Sequence, residues 1–524
     1  MLSVLLLAPI TTGLLLLAAG RGLGRRSFLL AAALPAIAFA WALAQASGVL
    51  DGDVPSDGFA WVPALGLTVD LRLDGFSLLF VLLVAGIGTL VQLYASRYFG
   101  PEREGLHRLA GLLLVFTASM LGLVTAANLL LLFVCWELTS ISSYLLIGWT
   151  DRDPKARASA LQALLTTGLG GIAMLGGFVL IGQAAGTYEL TALAAQPPSG
   201  TVVTVGLLLV LLGAFTKSAQ FPFSAWLPGA MVAPTPVSAF LHSATMVKAG
   251  VYLIARFAPM FADQAGWRPI VVTVGLATML TGGWHALHQY DLKRILAYGT
   301  VSQLGFLVVL FGIGEPEATT AGVIVLLAHA LFKAGLFLVV GVIDHQAHTR
   351  DIRRLGRYGP GWAGPMVIAV VCGASMAGIP PLLGFIGKEA AYSSLVGSEL
   401  AGGRLVLAGL VAGSVLTFAY TARLLLGAFR PGVVTEGIAA AEDAIDPPAA
   451  PAIGFWAPAT VLGALTVLFG LVPGLVSGLV EAASHALDPS AEAEHLALWH
   501  GVNAALVLSG ATILLGVAVT LAGP

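Results

Sequence analysis

Apolar residues run along this chain in long unbroken blocks rather than alternating or recurring on one face. Runs such as 78–93 and 109–126 approach the roughly 20 residues that one helical crossing of a bilayer needs. Polar or Gly/Pro clusters separate about fifteen such blocks. They lie at 3–20, 27–47, 76–95, 108–126, 129–149, 158–183, 202–231, 234–257, 269–287, 292–312, 320–344, 364–392, 404–429, 455–484 and 502–521. The pattern predicts an all-α, polytopic membrane protein of about 15 transmembrane helices, numbered one to fifteen in that order. Between helices two and three, residues 59–74 alternate weakly and include Thr68, Val69 and Leu71, which allows a short hairpin on the membrane surface.

Composition narrows the function classes. Of 524 residues, 58% are hydrophobic and 10% charged, which excludes a soluble globular chain. A net charge of −2, with no basic or acidic tail, gives no reason to expect nucleic acid. Ions, lipid or other membrane subunits are the expected partners. Cys135 and Cys372 lie singly in apolar runs and read as small core residues, with no disulfide, zinc site or iron-sulfur cluster indicated. The opening run, 2–19, lacks a basic n-region and reads as the first transmembrane helix. Gly20-Arg-Gly22-Leu-Gly24 follows a membrane span instead of a strand, so it fails as a dinucleotide fingerprint. The glycines of 168–177 read as close helix packing. With no Walker loop, no metal site, no cofactor and no catalytic residue expected, ion movement has to be driven by a gradient or by a partner.

Short-loop cations set the orientation. Arg21, Arg25, Arg26, Arg97, Arg103, Arg108, Arg152, Lys155, Arg157, Arg294, Arg350, Arg353, Arg354, Arg357 and Arg430 fall on one side; Arg72, Arg256, Arg268 and Arg404 fall on the other. The positive-inside rule puts the N-terminus and the acidic stretch 51–57 outside, and the C-terminus in the cytoplasm after an odd number of crossings.

Two helices are interrupted. Helix seven reads Lys217-Ser-Ala-Gln-Phe-Pro222-Phe-Ser-Ala-Trp-Leu-Pro228, and helix twelve reads Ala377-Gly-Ile-Pro380-Pro381-Leu-Leu-Gly384-Phe-Ile-Gly387-Lys388. Proline removes a backbone donor, which in lipid is tolerated only where protein or a water-filled cavity satisfies the freed groups. The breaks lie five helices apart, and a unit of five crossings must invert when repeated. Helices four to eight and nine to thirteen are therefore a candidate inverted pair, the architecture in which broken helices mark a transport site. Ordinary kinks are the alternative. The expected divisions are 1–107 (helices one to three with the outer loop), 108–257 and 269–429 (the two repeats), and 455–524 (the C-terminal helices).

Five of the six lysines, Lys217, Lys248, Lys293, Lys333 and Lys388, fall inside apolar runs, as does Arg423. Each such charge costs about 2.5–3.5 kcal/mol at mid-membrane. Buried lysine gives up its proton readily whereas arginine keeps its charge, so a line of lysines can pass protons. Glu137 is the only carboxylate well inside an early helix, and Lys217 is its expected counter-ion; a static packing pair is the other reading. His242 and Lys248 are six apart, off one face, at different radial positions of one cavity, and His242 also reads as a lone core histidine. His329 and Lys333, at i and i+4, stack on one face of helix eleven, either as a handover pair or as a polar seam. Lys293 is expected near the inner surface, where it can snorkel. Lys388 is expected at the far end of the row, with Gly384 and Gly387 leaving room for water and Glu389 as its partner or already in the outer interface.

The run from Lys217 through Pro222, Pro228, Pro234, Pro236 and His242 to Lys248-Ala-Gly resembles the signature of the antiporter-like subunits shared by respiratory complex I and the multisubunit Mrp cation/proton antiporters. Asp291-Leu-Lys293-Arg-Ile-Leu-Ala-Tyr-Gly-Thr-Val-Ser-Gln-Leu-Gly and His329-Ala-Leu-Phe-Lys333 fit as well, and the similarity covers nearly the whole chain. Val342-Ile-Asp344-His-Gln-Ala-His-Thr349-Arg350-Asp-Ile and Lys248 resemble the A-type Mrp antiporter protein more than the large complex I subunit. The resemblance implies the inverted five-helix fold and proton-path roles for Glu137, Lys217, Lys248 and Lys388, with His242, Lys293, His329 and Lys333 connecting. It implies exchange of sodium or another monovalent cation for protons, in the plasma membrane, within a hetero-oligomeric complex. A proton-pumping subunit of a NADH:quinone oxidoreductase is the alternative. The A-type Mrp protein normally continues into further helices, so the chain is expected to be an N-terminal module or fragment, or a subunit whose remainder is encoded separately.

Overall fold

The structure is a computed structural model that describes residues 1–65, 67–355, 358–398, 400–430, 448–491 and 496–523. Arg357, counted among the cytoplasmic cations, and Pro524, the end of the last division, lie outside the described residues. The helices in chain order are α1 Leu2–Ala19, α2 Arg26–Leu50, α3 Gly75–Tyr98, α4 Leu106–Thr125, α5 Leu129–Ile147, α6 Pro154–Ala185, α7 Leu190–Ala195, α8 Thr201–Lys217, α9 Trp226–Gly229 and α10 Thr235–Ser243. They continue as α11 Lys248–Phe261, α12 Trp267–Leu287, α13 Leu292–Ile313, α14 Pro316–Ala347, α15 Ala363–Ala377, α16 Leu383–Val396, α17 Gly403–Phe429, α18 Ile453–Leu471, α19 Gly474–His485 and α20 Ala504–Ala522. Among the described residues, 13 spans are long and apolar enough to cross a membrane. The broken α8 and the α15–α16 pair are too short for that measure. With them the number reaches the fifteen read from the runs.

Local chemistry sets the boundaries. Asp74, Asn128, Asp153, Asp291 and Asn503 each accept a hydrogen bond from a backbone N–H of the first turn of α3, α5, α6, α13 and α20. Pro154 and Pro316 open α6 and α14, where a missing N–H costs nothing. Between α2 and α3, the expected hairpin forms as antiparallel strands β1 Ser56–Val62 and β2 Leu67–Arg72. Asp57 of β1 accepts from the Met1 amine at 2.7 Å, which holds its carboxyl down to about 2 and puts the chain's first residue at the end of the bundle that carries 51–57.

In lipid no hydrophobic force drives helices together, so close backbone approach matters more. Gly13 meets Gly111 between α1 and α4, Gly177 meets Gly206 between α6 and α8, and Gly275 meets Gly305 between α12 and α13; a Cβ at any of these would come within 3.1 Å of the facing carbonyl oxygen. The deepest elements are α4, α10, α11, α13 and α14, whereas α1, α6 and α20 keep much of their surface at the periphery.

Both expected breaks are present, and neighbouring hydroxyls satisfy the backbone they free. At the first, Phe221 N–H donates to Thr278 Oγ1 (2.9 Å), Ser218 Oγ donates to Val247 O (2.6 Å) and Trp226 Nε1 donates to Thr216 O (2.9 Å). At the second, Gly384 N–H donates to Ser375 Oγ at 3.1 Å. Two further breaks were not expected. Residues 234–257 divide into α10 and α11, and 455–484 divide at Pro473 into α18 and α19. The former contains no proline or glycine at the break; Thr245 Oγ1 donates to the Phe240 carbonyl (2.6 Å) and competes with the helical ladder.

Candidate functional site

The five intramembrane lysines are between 0% and 6% exposed. Each donates to a backbone carbonyl: Lys217 Nζ to Trp136 O (3.1 Å), Lys248 to Ser243 O (2.5 Å), Lys293 to Ala233 O (2.7 Å), Lys333 to Leu296 O (3.5 Å) and Lys388 to Ala377 O (2.9 Å). Among the described residues none of them forms a salt bridge to a carboxylate. Ser243 and Ala377 end α10 and α15, and helix C-termini carry partial negative charge, so Lys248 and Lys388 are solvated by the breaks themselves. A carbonyl dipole steadies an ammonium but keeps no net charge if the proton leaves. A carboxylate partner would be stranded.

The expected Glu137–Lys217 ion pair is not formed. Lys217 reaches past Glu137 to the Trp136 carbonyl and to Ser140 Oγ (2.8 Å), and its ammonium sits 5.1 Å from the centre of the Trp136 ring. Glu137 turns toward α6, where a Cβ on Gly171 would come within 2.0 Å of its Oε1. That oxygen is buried without a hydrogen-bond partner. The two groups still lie within electrostatic range of each other.

The other members form two clusters. Lys248 lies within electrostatic range of His329 and Lys333, so α11 and α14 place three of the expected residues together. No hydrogen bond joins His329 to Lys333; both ring nitrogens of His329 are buried and unpartnered. His242 is in the same condition, 6.0 Å from the Trp226 ring and within range of Lys293. Lys293 is a correction: it is 1% exposed and covered by the Ala233 turn instead of snorkelling. It is within electrostatic range of Asp344, Asp291 and Arg350. Just beyond, Arg353 bonds to Asp351 and holds that carboxyl below its ordinary range.

Lys388 stands apart from both clusters. Gly384 and Gly387 do not leave room for water beside it, as the sequence suggested. A Cβ on Gly384 would be 1.9 Å from Ser375 O, and one on Gly387 would be 3.0 Å from Val325, so both glycines serve close packing. Glu389 is no salt-bridge partner of Lys388: it accepts from Asn503 at 3.5 Å and lines a 480 Å³ cavity with Glu315 and Glu317. Arg423 lies outside the row, donating to Gln289 O with its guanidinium over Tyr290. Residues that sequence reasoning missed include Ser140, Met376, whose sulfur accepts from Lys333 at 3.2 Å, and Tyr420, packed on Gly299 beside the Lys333 ammonium. The hydroxyl run after Glu137 was the one available signal for Ser140.

Residues 126–417 match the family described as NADH:quinone oxidoreductase/Mrp antiporter, transmembrane, and 61–108 match NADH-ubiquinone oxidoreductase (complex I) chain 5 N-terminus. The chain is 44% identical over 474 residues to the A/B component of a probable K(+)/H(+) antiporter of Rhizobium meliloti, covering 88% of this chain and 46% of that protein. It is 38% identical over 520 residues to the A component of an Na(+)/H(+) antiporter of Alkalihalophilus pseudofirmus, covering 92% and 63%. The chain therefore spans about half to three-fifths of the curated relatives it matches. A chain in the structure of the Mrp complex from Dietzia sp. superposes with a TM-score of 0.90 at 37% identity, covering 99% of this chain and 56% of that one.

Proposed function

Because the chain belongs to the NADH:quinone oxidoreductase/Mrp antiporter transmembrane family, we propose that it is the proton-translocating part of a monovalent cation/proton antiporter, working with other membrane subunits. In this reading Glu137, Lys217, Lys248 and Lys388 carry the proton, and His242, Lys293, His329 and Lys333 connect them. Residues 108–257 and 269–429 act as the two inverted repeats, flanked by 1–107 and 455–524. The observation that carries the reading is the solvation of five buried lysines by neutral carbonyls, with no carboxylate salt bridge among the described residues to hold any of the ammonium groups in its charged form. Lys248, His329 and Lys333 make the central junction, and the helix breaks beside Lys248 and Lys388 give it two hinged ends. A proton moving along such a row repels the next cation, so occupancy at one end biases release at the other.

Antiport is favoured over the quinone-reductase reading by the activities for which the relatives are named, in which potassium and sodium both occur. The test is to purify the assembly from its own membranes, identify what comes with it, and reconstitute it in vesicles. Proton flux driven by an imposed sodium or potassium gradient supports antiport. Co-purifying NADH- or quinone-reactive subunits, with no cation-driven flux, refute it.

The protein is a multi-pass membrane protein, and we place it in the plasma membrane with its N-terminus outside and its C-terminus in the cytoplasm. Cysteines introduced at Ser56 and Thr349, in a background lacking Cys135 and Cys372, are expected to react with a membrane-impermeant label from outside and inside respectively. Labelling of both from outside overturns the orientation.

A further inference from the structure

A cavity of 420 Å³ lies between α2, α3, α14 and the α18–α19 pair, with walls that are almost wholly apolar, Phe39, Leu83, Leu331 and Phe469 among them. Leu43, Val461 and Leu475 on its rim are exposed, so it opens sideways at the depth where acyl chains run. A second cavity, of 530 Å³, shares α2, α3 and α19 with it and is completed by α7 and α11. Leu79 and Leu479 line the first; Ser77 and Ala482, within one turn of them, line the second.

The second cavity is lined by polar and apolar residues alike, Asp53, Asp74 and Asp488 among them, and its charges are unevenly matched. Arg256 is taken by Asp74 at 2.8 Å and Ser77 at 2.9 Å. Asp488 accepts from Ser490. The guanidinium of half-buried Arg72, also in the lining, makes no hydrogen bond or ion pair among the described residues, and His485 lines the same cavity. A guanidinium that none of these carboxylates engages is matched by phosphate, whose oxygens accept in a fork geometry.

We propose that the two cavities form one binding site for a membrane phospholipid, with an acyl chain in the apolar part and the phosphate of the headgroup against Arg72 and His485. The two-part lining decides among occupants: a free anion has no use for the apolar chamber, and a plain hydrocarbon leaves Arg72 unmatched. The site sits behind a helix that matters. Leu327 and Leu331 of α14 line the apolar chamber, and His329 and Lys333 follow them by two residues, about 200° around the helix. The bound chain thus backs α14 on the side opposite its buried His and Lys.

The test uses the protein in its own assembly, washed in detergent and examined by native mass spectrometry and thermal melting. Wild type is expected to retain one phospholipid and, once fully delipidated, to melt higher with dioleoyl phosphatidylglycerol, but not with inorganic phosphate or the chain-free glycerophosphoglycerol headgroup. Arg72→Gln, and Leu475→Trp at the exposed rim, are expected to weaken retention roughly tenfold, the loss of one charge-assisted contact or of chain access, while melting of the fully delipidated assembly stays unchanged. Equal retention by both variants overturns the proposal. So does equal stabilisation by inorganic phosphate, which makes it an ion site, or a cross-link showing another protein's segment in the apolar chamber.

Discussion

Lys217→Ala is expected to abolish cation-driven proton flux, by roughly 10²-fold or more, while the protein still inserts and assembles. The ammonium joins α8 to α5 through the Trp136 carbonyl and Ser140 Oγ, and no other described cation lies within electrostatic range of Glu137. Alanine therefore leaves the Glu137 carboxyl, with its unpartnered Oε1, facing Gly171 with nothing across from it to exchange charge with. Glu137→Gln is expected to fail equally, because the amide keeps the shape and loses the charge. Ser140→Ala provides the contrast. It removes one of two acceptors, a net loss of about 0.5–1.5 kcal/mol, and flux is expected to fall only severalfold. Proton flux in vesicles checks all three; wild-type flux in either charge variant removes this pair from the path.

Lys388→Arg is expected to fail nearly as badly as Lys388→Ala. The lysine stem lies on Gly378, where a Cβ would meet its Cδ at 2.6 Å, and its ammonium is held by the Ala377 carbonyl at the end of α15. Arginine keeps the positive charge but does not release a proton. A further variant separates crowding from chemistry: Lys388→His is smaller and titratable, and is expected to retain more flux than Lys388→Arg. Near-normal flux in Lys388→Arg together with an inactive Lys388→Ala makes the residue a fixed charge and not a relay.

How much of this was legible in the sequence follows from what a sequence encodes. Apolar run length fixed the spans, and the two proline clusters fixed two breaks, because both are backbone properties that residue type controls directly. Lys217, Lys248, Lys333 and Lys388 are buried, as their place inside apolar runs implies. Side-chain direction was not legible. A lysine stem has four flexible bonds and turns to whichever acceptor the tertiary fold offers. Lys217 therefore took a carbonyl and a hydroxyl on α5 in place of the carboxylate one residue away from that carbonyl. Lys293 looked superficial because it stands two residues inside a helix, yet the Ala233 turn from a distant part of the chain covers it. The α10–α11 break escaped notice because hydroxyls, not proline or glycine, make it, and Ser and Thr are equally at home inside a membrane helix.

The central claim is that these lysines move protons by losing them, and Lys248 tests it best. It is 0% exposed, caps the end of α10, and lies within range of both His329 and Lys333. The measurement is simultaneous recording of proton and labelled-sodium flux in the same vesicles, for the purified wild-type assembly and for Lys248→Arg. Opposed, coupled fluxes in wild type and the loss of both in an assembled Lys248→Arg are the predicted result. Coupled fluxes at the wild-type rate in Lys248→Arg contradict it.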